Sequence, residues 1–276
     1  MPWRSIGGQW RAVGGTWQGL ASEPPLELDP DAAAYIAAVE AADGQALEPA
    51  IGAAIDTFVK GCKTDGIWTA IKASCILAGA RTLPGALVPL KGPAPTNFNF
   101  VAEDYDRITG LRGDGSTKYL DTGRNASSDG RDDVHLAVMS HMVPLAAAGR
   151  YLGASETLEI LNDSALESGG GLRARVNSGT LNTHARGGSF PAVIGISRAV
   201  NTEYDWVSGT ASGTQPEASA DSSSGEYAVF RRGLTGLEGF LLNGRLSFYS
   251  IGSAITLADL RSRALALQSA IAEALT

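Results

Sequence analysis

The chain has 276 residues, 44% of them hydrophobic and 18% charged, a balance that sustains a core of ordinary domain size and excludes a disordered chain. Its formal net charge is −7 and its 22 Lys and Arg residues are scattered, which excludes nucleic acid as the main partner. No run approaches about eighteen apolar residues, so no membrane insertion is expected. The N-terminus lacks the basic stretch and apolar core of a secretory signal, which points to synthesis in a reducing cytoplasm.

Trp3, Trp10 and Trp17 recur every seven residues in the units WRSIGGQ, WRAVGGT and WQGLASE. A helix is disfavoured because each glycine of Gly7-Gly8 and Gly14-Gly15 would cost it about 1 kcal/mol. Paired glycines suit two-residue hairpin turns, where both positions take positive φ. Residues 1–21 therefore read as a three-stranded ribbon (Trp3–Ile6, Gln9–Val13, Thr16–Leu20). Alternation puts Trp3, Ser5, Trp10, Ala12, Trp17 and Gly19 on one face. So small a ribbon is marginal alone, so the indoles dock either on the chain's own body or on a partner. Their place ahead of a stiff linker at 22–28, with Pro24-Pro25, favours a partner-binding anchor of Trp3, Trp10 and Trp17.

A helical subdomain is expected over 29–80. Asp29-Pro30 supplies an N-cap and a first-turn proline. Tyr35, Ile36 and Val39 give that helix one apolar face, and Asp43-Gly44 ends it. Leu47, Ile51, Ile55, Phe58 and Val59 mark a second helix stopping near Gly61, and Ile67, Trp68, Ile71 and Cys75 a short third one. Cys62 and Cys75 have neither zinc nor redox spacing and read as small buried hydrophobes. Residues 79–99 read as an extended crossover.

From residue 97 to 276 the pattern is that of a jelly-roll or β-sandwich domain closed by a helix. Expected strands lie at 118–120, 135–140, 172–176, 192–198, 203–207, 226–231 and 245–251, separated by turn signals such as Ser168-Gly-Gly-Gly and Asn243-Gly244. The Ser/Gly/Ala/Thr stretch 208–225 reads as a flexible loop. Thr256 and Asp259 fit a capping box, followed by the stripe Leu257, Leu260, Ala264, Leu267, Ile271 and Leu275.

Chemistry is sparse. Glu203 and Asp205 share a strand face, as two glycosidase carboxylates would, but Trp206, Val207 and Ser208 follow where a third acid is expected, so a solvated face is preferred. Asp104 and Asp106 read as loop acids. His135, His141 and His184 lack tight metal-ligand spacing, and the cluster Asn125, Asp129, Asp132 and Asp133 reads as an acidic turn before a calcium loop. Tyr204 and Trp206 are candidates for stacking on a sugar, with a core role for at least one of them. No nucleophile elbow, phosphate loop or dinucleotide fingerprint is present. Catalytic residues, metals and cofactors are therefore expected to be none.

The order GIWTAIKASCILAGA, LRGDGSTKYLDTG, HLAVMS and GRLSFYSIGSAITLADLRSRALALQSAI resembles the concanavalin A-like, laminin-G-type jelly-roll proteins found among tailed-bacteriophage virion proteins. The resemblance rests on Gly66-Ile67-Trp68, on Gly113 to Thr122 around Tyr119, and on Ser250-Ile251-Gly252 before the final helix. It implies a mainly β protein: a concanavalin A-like sandwich with a small N-terminal helical subdomain, a C-terminal helix and the N-terminal ribbon. It also implies a non-enzymatic virion structural protein, assembled in the host cytoplasm. In that reading it is a tail or fibre component, held to other virion proteins by its Trp ribbon and displaying a lectin-like domain, with host surface glycan as a candidate ligand and a homo-oligomeric state. A capsid decoration protein is the nearest alternative, and a polysaccharide-degrading enzyme the alternative of another class.

Overall fold

The computed structural model describes residues 27–142, 149–163, 171–220, 223–233 and 240–276. The ribbon with Trp3, Trp10 and Trp17, and all of the linker but its last two residues, lie outside the described residues. Residues Asp31–Thr276 belong to one body.

Four α-helices are found among the described residues: α1 (Pro30–Asp43), α2 (Pro49–Thr64), the single turn α3 (Leu83–Ala86) and α4 (Leu257–Leu275). The strands are β1 (Ile71–Ile76), β2 (Thr96–Phe98), β3 (Tyr105–Asp106), β4 (Gly110–Arg112), β5 (Tyr119–Asn125), β6 (Val134–Ser140), β7 (Arg150–Ser155) and β8 (Leu158–Asp163). They continue as β9 (Gly171–Val176), β10 (Asn182–His184), β11 (Ala192–Arg198), β12 (Glu203–Ser208), β13 (Ala211–Pro216), β14 (Glu226–Val229) and β15 (Arg245–Gly252). Two antiparallel sheets result. The first runs β13-β12-β11-β6-β15-β4-β3, and β1 also pairs with β15. The second runs β10-β9-β8-β7-β14-β5-β2.

Alternation along the strands builds the core between the sheets. Leu136, Val138, Ile194, Ile196, Tyr249 and Ile251 come from the first sheet, and Leu120, Leu152, Ile160, Leu172, Ala174 and Val229 from the second. The first sheet is apolar on its other face too, because the helices cover it. Helix α2 starts with Pro49 just inside its N-terminus and buries Ile51, Ala54, Ile55, Phe58, Val59 and Cys62. Phe58 meets Phe248 of β15 edge-on, with centroids 5.7 Å apart. Helix α4 buries Leu257, Leu260, Ala264, Leu267 and Ile271, the stripe expected from sequence except for its last member, and packs on α2 and β11. The Asp31–Thr276 body is thus three layers, helices on sheet on sheet.

Several expectations require correction. The third helix is instead strand β1: Ile71 to Ile76 pair with β15, with Cys75 opposite Tyr249. Both faces of this segment are covered, so every position but Lys72 is buried, and the spacing of its apolar residues mimics a helix stripe. The stretch 208–225 contains β13, an edge strand pairing with β12 from Ala211 to Pro216. Its side chains are mostly exposed, so backbone pairing holds it without any hydrophobic period. The 226–231 strand stops at Val229, where Phe230 enters the left-handed region at φ 68°. Thr256 makes no side-chain cap bond to α4.

Candidate functional site

The sequence candidates on β12 separate by alternation. Tyr204 turns into the core, where its hydroxyl lies 2.9 Å from His184 Nε2. Trp206 also turns inward but closes the edge of the sandwich, stacked on the His184 ring at 4.5 Å and 14°. The indole lies against Gly213 of β13, where a Cβ would come within 3.2 Å of the ring. Glu203 and Asp205 face outward and are exposed, and Asp205 Oδ1 accepts the Thr214 hydroxyl at 2.7 Å. Of the two carboxylates, Asp205 lines a cleft of about 600 Å³ between β11–β13, the turn after α2 and the start of α4. Ser212, Thr214 and Thr256 bring hydroxyls to its wall, and Ile67, Ala70 and Leu257 an apolar surface. The cleft keeps its shape because Ser197 Oγ accepts Ile255 N at 2.9 Å, and Asp65 holds Arg263 through two bonds of 2.7 and 2.8 Å. Such a lining can exchange hydrogen bonds with a hydroxyl-rich ligand while its apolar members cover the carbon skeleton.

The remaining candidates are engaged elsewhere. His135 is buried, with Nδ1 2.6 Å from the Ser253 carbonyl and Nε2 2.8 Å from the Ser250 hydroxyl. Burial pushes its pKa down from 6.5 to about 4. His141 lies 2.8 Å from Ser247 Oγ, and burial lowers both His141 and His184 to about 4. The acids of the 125–133 turn diverge: Asp129 pairs with Arg124 and accepts the Tyr227 hydroxyl, Asp133 accepts Ala254 N, and Asn125 accepts Ser127 N. Asp104 binds Val101 N and Lys118, and Asp106 caps the turn at Ile108 and Thr109. Among the described residues no three His, Cys, Asp or Glu side chains are grouped to hold a metal. Cys62 and Cys75 are free and buried, and burial pushes both thiols up to about 12.

The outer face of the second sheet carries a constellation that sequence reading missed. Glu159 of β8 is 0% exposed, yet it points away from the core. Its Oε1 accepts Arg175 Nη1 at 2.7 Å, and its Oε2 lies 3.1 Å from Arg150 Nε and 3.5 Å from Arg232 Nη1. Opposite it on β7 stands Gly153, where a Cβ would lie 2.8 Å from the Glu159 Cβ, so glycine makes the room this carboxylate needs. Phe240 takes φ 69°, is 53% exposed and lies 4.1 Å from the Arg150 guanidinium. Arg231 covers Tyr119 at 4.4 Å, and Tyr119 stacks on Phe98 at 4.3 Å. The available signal was Arg173-Ala-Arg175 on an expected strand, which places two guanidiniums on one face.

Fold and surfaces together define a two-sheet antiparallel sandwich of jelly-roll type, with a helical layer on one sheet and a buried charge cluster on the outer side of the other. No protein-family model and no curated protein matches the sequence. Solved structures with a similar fold include domain 4 of an extracellular arabinanase from Geobacillus stearothermophilus in complex with arabinotriose, at a TM-score of 0.40 and 12% identity, covering 63% of this chain and 82% of that one. The CBM40 module of a Ruminococcus gnavus sialidase bound to α2,3-sialyllactose gives 0.35 and 11%, covering 48% and 81%. Trypanosoma rangeli sialidase in complex with sialic acid gives 0.44 and 9%, covering 73% of this chain and 33% of the sialidase. The expectation of a non-enzymatic virion structural protein, in tail, fibre or capsid, is corrected accordingly. The three structures named are an arabinanase domain, a sialidase carbohydrate-binding module and a sialidase, and none of them is a virion protein. At such identities the likeness is one of fold, and no activity passes with it. Among the described residues no helix is long and apolar enough to cross a membrane.

Proposed function

We propose that this protein is carbohydrate-active and binds an oligosaccharide in the cleft between β11–β13 and the start of α4. The observation that supports this is the mixed lining: Asp205, Ser212, Thr214 and Thr256 together with Ile67, Ala70 and Leu257, around a volume of about 600 Å³. Sugars present hydroxyls at their rims and C–H groups on their faces, and a cleft lined by both polar and apolar side chains meets both. A carboxylate with a fixed hydrogen bond to Thr214 is a directional acceptor for a sugar hydroxyl.

The test is a glycan array on the full chain, followed by calorimetric titration of the neutral oligosaccharides that score. Asp205→Asn and Thr214→Val are each expected to weaken binding about tenfold or more, since a hydrogen bond to a charged group contributes roughly 1.5–3 kcal/mol. Absence of any neutral glycan above background, or affinities untouched by both substitutions, overturns the reading. A second reading, hydrolysis, is favoured by the position of Asp205 in the cleft. Release of reducing ends by the wild type and its loss in Asp205→Asn would support it, and no release from any bound polysaccharide would remove it.

A further inference from the structure

The described residues that line the cleft carry charge of one sign. Asp65 and Asp205 are among them, and no Lys, Arg or His is. Arg263 stands behind the lining with its Nε and Nη2 committed to Asp65 at 2.7 and 2.8 Å, so that pair presents little net charge to a ligand. Among the described residues no cation pairs with Asp205: it is exposed, and its Oδ1 accepts the neutral Thr214 hydroxyl. Further acids border the cleft. Glu203 stands two residues away on β12, on the same exposed face. Asp133 accepts the backbone N–H of Ala254, a lining residue, at 2.7 Å. The N-terminus of α4, where Thr256, Leu257 and Ala258 line the cleft, has the opposite sign. Its macrodipole is equivalent to only about half a charge, and Asp259 in the same first turn offsets it.

Saccharides of every class bring hydroxyls to such a cleft, and the classes differ in charge. A uronate or sulfate would set like charge against Asp205, with no free cation in the lining to receive it. The ammonium of a hexosamine would instead give N–H donors to the Asp205 carboxylate, a charge-assisted bond that a neutral hydroxyl does not match. The chain's net charge of −7 acts in the same direction at longer range. Building like charge against the wrong ligand is a route to specificity that needs no added contact to the right one.

We propose that the cleft selects its saccharide by charge, with Asp205 as the specificity-determining residue: amine-bearing sugars bind most tightly, neutral sugars less so, and acidic sugars are rejected. The inference rests on the reading of this cleft as a saccharide site and names the class of ligand it takes. The test titrates the full chain with tetrasaccharides that share a linkage and differ in charge. One series is glucosamine, glucose and glucuronic acid in β-1,4 linkage, and the other is galactosamine, galactose and galacturonic acid in α-1,4 linkage. Titrations run at low and high salt, at about pH 6, where free carboxylates are ionised and sugar amines are protonated.

In at least one series the amine binds about threefold or more tighter than the neutral sugar and the acid about threefold or more weaker, the scale of a solvent-screened charge pair. High salt shrinks both ratios. Asp205→Asn brings the three affinities within about 1.5-fold of one another, because the charge that ranks them is gone. Asp205→Glu keeps the charge and keeps the order. Unfolding curves confirm that both variants remain folded, as an exposed position allows. The proposal falls if acid and neutral sugar bind alike, if salt leaves the order untouched, or if folded Asp205→Asn keeps the wild-type order. A neutral sugar that binds without this order leaves the saccharide cleft standing and removes only the selection by charge. If no member of either series binds, both readings fall.

Discussion

Stability should fall as pH drops through the range where free histidine titrates, and His135 should carry an identifiable share of that fall. Its ring is 0% exposed, its Nδ1 lies against the Ser253 carbonyl and therefore donates, and in the neutral ring its Nε2 accepts from the Ser250 hydroxyl. Asp129 and Asp133 raise the tendency to protonate and Arg124 lowers it, but burial outweighs them and brings the pKa from 6.5 down to about 4. The unfolded chain therefore binds a proton between pH 6.5 and pH 4 that the folded chain refuses. By linkage, His135's contribution is fully present above pH 6.5 and is lost progressively as pH falls toward 4. At about 1.4 kcal/mol per pKa unit, the total is about 3 kcal/mol, of which roughly 2 kcal/mol is lost by pH 5.

The assay is urea unfolding of the wild type and of His135→Asn at several pH values from 7.5 to 5. Asn can still donate to Ser253, and the unpaired Ser250 hydroxyl costs the variant about 1–3 kcal/mol at neutral pH. His141 and His184, which are also lowered to about 4, remain in both proteins and cancel in the comparison. The variant should lose about 2 kcal/mol less than the wild type between pH 7.5 and pH 5. Parallel stability curves for the two proteins across that range would refute the reasoning.

Glu159→Gln leaves three guanidiniums around an uncharged amide. Removing one partner of a buried ion cluster costs about 3–5 kcal/mol, so chemical unfolding should show a loss of that size, and a loss below about 1 kcal/mol would mean the cluster is solvated. Phe58→Ala opens a cavity where α2 meets Phe248, with an expected cost of about 3–5 kcal/mol by the same measurement. Asp43→Ala strips acceptors from Arg81 N, Thr82 N and the Thr82 hydroxyl, which tie the end of α1 to the turn before α3. Hydrogen exchange at Arg81 and Thr82 should speed up while the core strands stay protected.

What the sequence determined by itself was local and periodic. The apolar stripe of α4, the proline at the start of α2 and the apolar strands at 135–140, 192–198 and 245–251 follow from which residues recur at helical or strand spacing. With the turn signals between them, they specify a sandwich preceded and followed by helices. Tertiary structure decided what depends on the neighbours. Ile71–Ile76 is a strand because β15 offers it an edge and both its faces are covered, a fact absent from its own pattern. Residues 211–216 are a strand because β12 supplies backbone partners to side chains that carry no signal. Glu159 and its three arginines come together only through the register that sets Glu159 opposite both Gly153 and Arg175, and through the turn at Phe230 that brings Arg232 alongside Gly153. A buried charge cluster on a sheet face is built across strands, from residues spread over 150–232, and no window of the chain contains it.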